Sequence, residues 1–193
     1  PSSGNTGHGV ALLASAFGIP HVRVVMSSAT PEAKQSVLRM VPWASVITPD
    51  GTESVEDRAH EEASKPGSYL LDQYKHLGNV RVHAECTGPY LLQATGDKLG
   101  LVAVAMGSGG TVTGVSQSLK NTRSDIIMLG VRPKRGQRVP GVRDVKQMEA
   151  VVTLPYQSAV DAIVEVGRKE SFLKTRSLVS EVQPQPGPSS GLA

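Results

Sequence analysis

The chain has 193 residues, 39% hydrophobic but only 4% aromatic, and carries 20 Gly and 13 Pro. A formal net charge of +3, basic residues scattered outside 132–143, and one Trp with two Phe argue against a nucleic-acid surface, which needs clustered cations and stacking platforms. The single Cys86 excludes an internal disulfide framework and a cysteine zinc site. No apolar run reaches the length of a membrane span and no signal-peptide pattern opens the chain, so a reducing cytoplasmic setting is expected.

From residue 5, Val10, Leu12, Leu13, Ala16 and Phe17 recur at helical spacing until Gly18 and Pro20 stop the pattern. His21–Met26 is a β-branched run that predicts a strand. Ser27, Ser28 and Thr30-Pro31 then cap a helix reaching about Met40. Ser45–Thr48 predicts a short strand, Glu53–Lys65 a charged helix, and Ser68–Leu71 another short strand. Thr87–Thr95 reads as helix, and Leu99–Met106 as a strand buried on both faces. Helix over Thr113–Lys120, strand over Ile126–Val131 and helix over Ser158–Arg168 follow. Lys169–Pro188, with Pro184, Pro186 and Pro188, has no clear period and predicts a surface loop. Strands alternating with helices imply parallel sheets with crossover helices, in two lobes: residues 1–80, ending after the Leu77-Gly78-Asn79 turn, and residues 81–193.

Three small-residue loops carry the chemistry. Ser2-Ser3-Gly4-Asn5-Thr6-Gly7 opens a helix, where free backbone N–H groups and hydroxyls receive an anion; a plain helix cap is the alternative. Gly107-Ser108-Gly109-Gly110-Thr111 stands between a strand and a helix, the order a phosphate cradle needs, although a tight turn without ligand has the same appearance. It lacks the Gly-Lys-Ser/Thr of a P-loop and does not fit Gly-x-Gly-x-x-Gly. Gly187-Pro188-Ser189-Ser190-Gly191 is uninformative alone. His8, His21, His60 and His76 show no metal-ligand spacing, so no metal is expected, and Cys86 reads as a small buried residue.

In this order the motifs resemble the cysteine synthase family of pyridoxal-phosphate enzymes, the β-replacement branch that includes cystathionine β-synthase. "PSSGNTG" (1–7) resembles that family's substrate-carboxylate loop and "GSGGT" (107–111) its cofactor-phosphate loop. "GPSSG" (187–191) resembles the segment whose first serine meets the pyridine nitrogen. "DQYKHLGNVRVHAECTGPYL" (72–91) is similar to its Gln-Phe-x-Asn…His…Thr-Gly-Pro stretch. The resemblance implies a fold type II α/β enzyme, here incomplete at both ends, with two lobes of mostly parallel sheet flanked by helices.

It also implies roles for particular residues. Asn5 would bond the cofactor's phenolic oxygen, Gly107, Ser108, Gly109, Gly110 and Thr111 its phosphate, and Ser189 its ring nitrogen. Ser2, Ser3, Gly4, Thr6 and Gln73 would hold the substrate carboxylate, with His83 a structural hydrogen-bonder. A neutral serine at the ring nitrogen favours loss of a β-substituent over transamination.

"RPKRGQRVPGVRD" (132–144) looks most like archaeal O-phosphoserine sulfhydrylases, which makes Arg143, with Arg138 the neighbouring alternative, the candidate for a substrate phosphate. A solvated basic loop is the plain alternative. The family forms its Schiff base with a lysine preceding the Ser-Gly-Asn-Thr loop, and none of Lys34, Lys65, Lys75, Lys98, Lys120, Lys134, Lys146, Lys169 and Lys174 has that surrounding sequence. The chain therefore reads as an interior piece of a longer enzyme, with a lysine-less non-catalytic homologue as the alternative. Residues 169–187 read as a loop insertion. A homodimer that makes cysteine from O-phosphoserine or O-acetylserine and sulfide is the implied whole, with cystathionine synthesis the rival; no nucleic acid or membrane partner is expected.

Overall fold

A computed structural model describes residues 1–2 and 4–193. The chain divides into two compact units, Pro1–Asp72 and Gln73–Ala193. The sequence placed the boundary near residue 80. It falls earlier because the segment after Asp72 belongs with the second unit: the Gln73 carbonyl accepts from Asn79 and the Tyr74 carbonyl from the Thr153 amide.

In the first unit, α1 (Asn5–Ala16) is followed by β1 (Val22–Val25), α2 (Glu32–Arg39), β2 (Ala44–Ile47) and α3 (Val55–Ala63). The two strands pair in parallel, Val22 opposite Ala44 and Val25 opposite Ile47. Ala11, Val24, Met26, Leu38 and Val41 form the core beneath them. Ser54 starts α3 by accepting the Asp57 amide at 2.9 Å, so one orphan donor of that helix is satisfied. The strand expected over Ser68–Leu71 does not form.

The second unit opens with a helical run made of α4 (Gly78–Val82), one π-helical turn (His83–Thr87) and α5 (Gly88–Thr95). Then come β3 (Leu101–Ala105), α6 (Gly110–Thr122), β4 (Ile127–Pro133), α7 (Val145–Val151), β5 (Ala162–Val166) and α8 (Arg168–Leu178). The sheet is parallel in the order β3-β4-β5, with Leu101 opposite Ile127 and Leu129 opposite Ala162. Helix α6 packs Val112, Val115 and Leu119 against Met106, Ile126 and Met128.

Four expectations are corrected here. The run Leu99–Met106 is not buried on both faces: Leu101 is 49% exposed, because β4, not β3, takes the centre of the described sheet. The helix expected over Ser158–Arg168 is replaced by a 3-10 turn at Gln157–Ala159 and the strand Ala162–Val166, since Ala162-Ile163-Val164 continues the ladder along β4. Residues 169–187 are not all loop, for α8 takes their first half, through Leu178. Cys86 is exposed, because the π turn puts it on the outer side of its helical run.

Candidate cofactor and substrate site

The predicted site residues fall on both units, and each half is described by itself. In the first unit, Ser2 lies beside β1, its N–H donating to the Val25 carbonyl at 3.0 Å. Its buried hydroxyl oxygen accepts from the Gly7 amide at 2.9 Å and from the Gly4 amide at 3.3 Å. Ser2 thus shapes the N-terminus of α1 from the inside. Gly7 has to be glycine, since a Cβ there would stand 2.6 Å from Val24 Cγ1. Asn5 and Thr6 occupy the first turn of α1 with exposed side chains. Ser3 lies outside the described residues. A residue that the sequence did not single out comes close: Lys34 of α2 would put its Nζ 3.5 Å from a Cβ on Gly4.

In the second unit the glycine loop leads from β3 into α6, the strand-to-helix geometry that exposes backbone N–H groups. Gly109 is in the left-handed region at φ 83°, which a side chain disfavours. The Thr113 amide donates to the Gly109 carbonyl, whereas the amides of Gly110, Thr111 and Val112 have no acceptor among the described residues. Three unclaimed donors and two hydroxyls, Ser108 and Thr111, make a donor set suited to a phosphate dianion, and the helix dipole adds to it. The chemistry of these residues fits a phosphorylated cofactor.

Three further segments converge on this loop. The Asn79 amide group donates to Ser108 Oγ at 2.8 Å and to the Gln73 carbonyl at 2.7 Å. Gly107 stands against the Gly141 carbonyl, which a Cβ would approach to 2.9 Å. Gly141, at φ 92°, is flanked in turn by Ser189, whose Oγ would stand 3.5 Å from a Cβ on Gly141.

Ser189 is held by α8. Ser171 Oγ donates to the Pro188 carbonyl at 2.6 Å. Thr175 Oγ1, whose one hydrogen is shared with the nearer Ser171 carbonyl at 2.8 Å, reaches the Gly187 carbonyl at 3.3 Å, while Leu192 is buried with Val131, Val139 and Val142. So Gln73, Ser108, Gly107 and Ser189 gather at one corner of this unit. Neither Asn79 nor Gly141 was singled out in the sequence. The signal lay in their positions, an Asn inside the Gln…His stretch and a Gly between two short apolar residues.

Arg143 joins the corner through its backbone, its amide donating to the Met106 carbonyl at 3.1 Å. Its guanidinium lies over the buried Tyr74 ring, 4.7 Å from the centroid, and hydrogen-bonds the Tyr74 hydroxyl. Arg138 is exposed five residues earlier in the same loop. The next residue, Asp144, anchors this loop: it accepts the Gln147 amide in a reciprocal cap of α7 and the Gly136 amide at 2.8 Å. These backbone donors hold its carboxyl below the usual aspartate range.

His83, in the π turn, has Nε2 3.0 Å from Thr111 Oγ1 and Nδ1 2.9 Å from Thr87 Oγ1. Partial burial lowers its pKa from the ordinary histidine value, which favours the neutral ring. Among the described residues there is no group of three or more His, Cys, Asp or Glu able to hold a metal, and no helix long and apolar enough to cross a membrane.

The two units thus define an α/β chain with parallel sheets and a glycine turn, rich in free donors, at the C-terminal end of a strand. Over residues 1–193 the sequence matches the family described as "PALP: Pyridoxal-phosphate dependent enzyme", and the chain belongs to that family. It is 27% identical to cysteine synthase B of Escherichia coli (strain K12) over 179 residues, 92% of this chain and 58% of that one. It is 28% identical to cystathionine beta-synthase of Mus musculus over 211 residues, 100% of this chain and 37% of that one. The fold is that of O-ureido-L-serine synthase, whose crystal structure superposes with a TM-score of 0.88 at 22% identity, covering 99% of this chain and 63% of that one. The chain therefore spans less than two thirds of the length of these relatives.

Proposed function

We propose that this chain supplies the cofactor-phosphate and substrate-carboxylate sites of a pyridoxal-phosphate-dependent β-replacement enzyme, making cysteine from an O-substituted serine and sulfide. The carrying observation is the donor set at the Gly107–Thr111 turn, where the amides of Gly110, Thr111 and Val112 have no acceptor among the described residues and stand beside the hydroxyls of Ser108 and Thr111. When bound, pyridoxal phosphate supplies the electron sink that lets an amino acid lose its α-proton and β-substituent. The chain's own residues bind and orient. Ser108, Thr111 and the amides of the loop take the phosphate, Ser189 takes the ring nitrogen and Asn5 the phenolic oxygen. Ser2, Ser3, Gly4, Thr6 and Gln73 take the substrate carboxylate, Ser2 by shaping the turn whose amides do the binding. No lysine of this chain is given the covalent role. The homodimer and the cytoplasmic setting belong to the same reading, the second supported by a lone cysteine.

Titration of the purified chain with pyridoxal phosphate, followed by near-UV circular dichroism, tests this directly. Saturable binding that inorganic phosphate displaces is expected. A cofactor that labels surface lysines without saturation overturns the assignment.

O-phosphoserine is the substrate favoured here over O-acetylserine, because Arg143 joins the glycine-loop corner through its backbone and carries a planar cation held on Tyr74. A dianion takes two hydrogen bonds from such a fork, whereas an acetyl ester needs no cation. In the complete enzyme, Arg143→Ala is expected to lower kcat/KM for O-phosphoserine about thirtyfold, the effect of removing roughly 2 kcal/mol of charged hydrogen bonding, and to leave O-acetylserine nearly unchanged. Equal losses with both substrates remove the case for phosphate. The similarity to cystathionine beta-synthase keeps homocysteine as an alternative acceptor to sulfide, which product analysis with both nucleophiles separates.

A further inference from the structure

The π turn between α4 and α5 diverts one threonine from its ordinary local partner. Thr95, Thr122 and Thr175 each return their hydroxyl to the carbonyl four residues earlier in their helix. Thr87 instead reaches the ring of the residue four positions back, His83, while the His83 carbonyl accepts the Gly88 amide. A single π turn inside a helix is a feature often found at functional sites. Here it aims an imidazole between two hydroxyls, Thr87 on Nδ1 and Thr111 on Nε2.

A neutral imidazole has one N–H and one lone pair, so only two arrangements satisfy both hydroxyls. If Nδ1 carries the hydrogen, Thr111 must point its own hydrogen at Nε2. It would then offer only lone pairs to the loop, beside amides that wait for an anion. If Nε2 carries the hydrogen, it donates to Thr111 Oγ1, and the Thr111 hydrogen is released to point into the loop. Nδ1 then accepts from Thr87. Only the second arrangement makes Thr111 a donor like its neighbours.

We propose that His83 is a positioning residue, fixed by Thr87 as the Nε2–H tautomer so that the Thr111 hydroxyl donates to the phosphate held at Gly107–Thr111. This rests on the phosphate-site reading above and adds the device that orients the Thr111 donor, as Asn79 does for Ser108.

Long-range nitrogen–proton NMR of the imidazole in the full chain reads the tautomer, and inorganic phosphate titration followed on the same sample reads the site. The expected result is an Nε2–H ring, phosphate shifts at the Gly107–Thr111 amides, and phosphate binding about fivefold weaker in Thr87→Val but restored in Thr87→Ser. Thr87→Val should have no further effect once Thr111 is already valine. A ring found as Nδ1–H overturns the proposal while the phosphate site stands, and so does an equal loss from Thr87→Val with or without the Thr111 hydroxyl. Absence of phosphate shifts at Gly107–Thr111 overturns the site reading itself, and this proposal with it.

Discussion

Gly114→Ala is expected to destabilise the chain by about 3 kcal/mol, at the upper end for overpacking a well-filled interface. Helix α6 approaches the α4 and π-turn run so closely at Gly114 that a methyl group would overlap the Val80 carbonyl oxygen. It would also stand 2.7 Å from His83 Cβ and 2.8 Å from the Ala84 nitrogen. Two of these three neighbours are backbone, so no side-chain rotation relieves the overlap and one helix must move away. The same substitution at Gly9 has nothing within 4 Å and lies inside α1, where alanine is the better helix former by roughly 0.5–1 kcal/mol. Urea denaturation should therefore move the midpoint down for Gly114→Ala and slightly up for Gly9→Ala. A wild-type midpoint for Gly114→Ala would mean that the two helices are not packed at this distance. Because His83 and Thr111 stand on opposite sides of this interface, the same variant should also weaken their hydrogen bond.

Gly191→Ala is expected to cost a similar amount, about 3 kcal/mol, for a different reason. Its methyl would overlap the Ser171 carbonyl and both the amide nitrogen and hydroxyl of Thr175, so the turn carrying Ser189 could not lie on α8. The hydrogen bonds from Ser171 to Pro188 and from Thr175 to Gly187 are lost together, and Leu192 leaves the cluster with Val131, Val139 and Val142. Hydrogen exchange followed by mass spectrometry should show faster exchange over residues 187–192 and none of this effect in β1 and β2. Unchanged exchange at 187–192 would show that the segment is held by something other than α8.

The sequence announced the Gly107–Thr111 turn clearly, because strand, glycine run and helix follow one another without interruption and all the contacts that define the order are local. Helix α8 was missed for a physical reason. It is not held by an apolar stripe: Leu173 and Phe172 remain largely exposed, and Ser171 and Thr175 make the contacts to residues 187–191. Hydrophobic periodicity is blind to a helix docked through hydroxyls and a glycine. Strand β5 was read as helix because Ala159, Val160, Ile163, Val164 and Val166 are apolar at spacings compatible with either element, and only pairing with β4 decides between them. The π turn has no compositional mark at all. The long polar stretch before Ser189 contains the helix on which residues 187–191 rest.

Asn79 hydrogen-bonds two oxygens with the two hydrogens of one carboxamide, the Gln73 carbonyl and Ser108 Oγ. The gap between the segment assigned to the substrate carboxylate and the loop assigned to the phosphate is thus bridged by a single rigid NH2 group, a spacer with no joints. Those two oxygens can be no farther apart than the two bonds laid end to end. An aspartate in this position would set oxygen against the Gln73 carbonyl oxygen and turn the Ser108 hydroxyl hydrogen back onto its own carboxylate, and a leucine would leave both acceptors bare, so among residues of this shape only the primary amide donates to both.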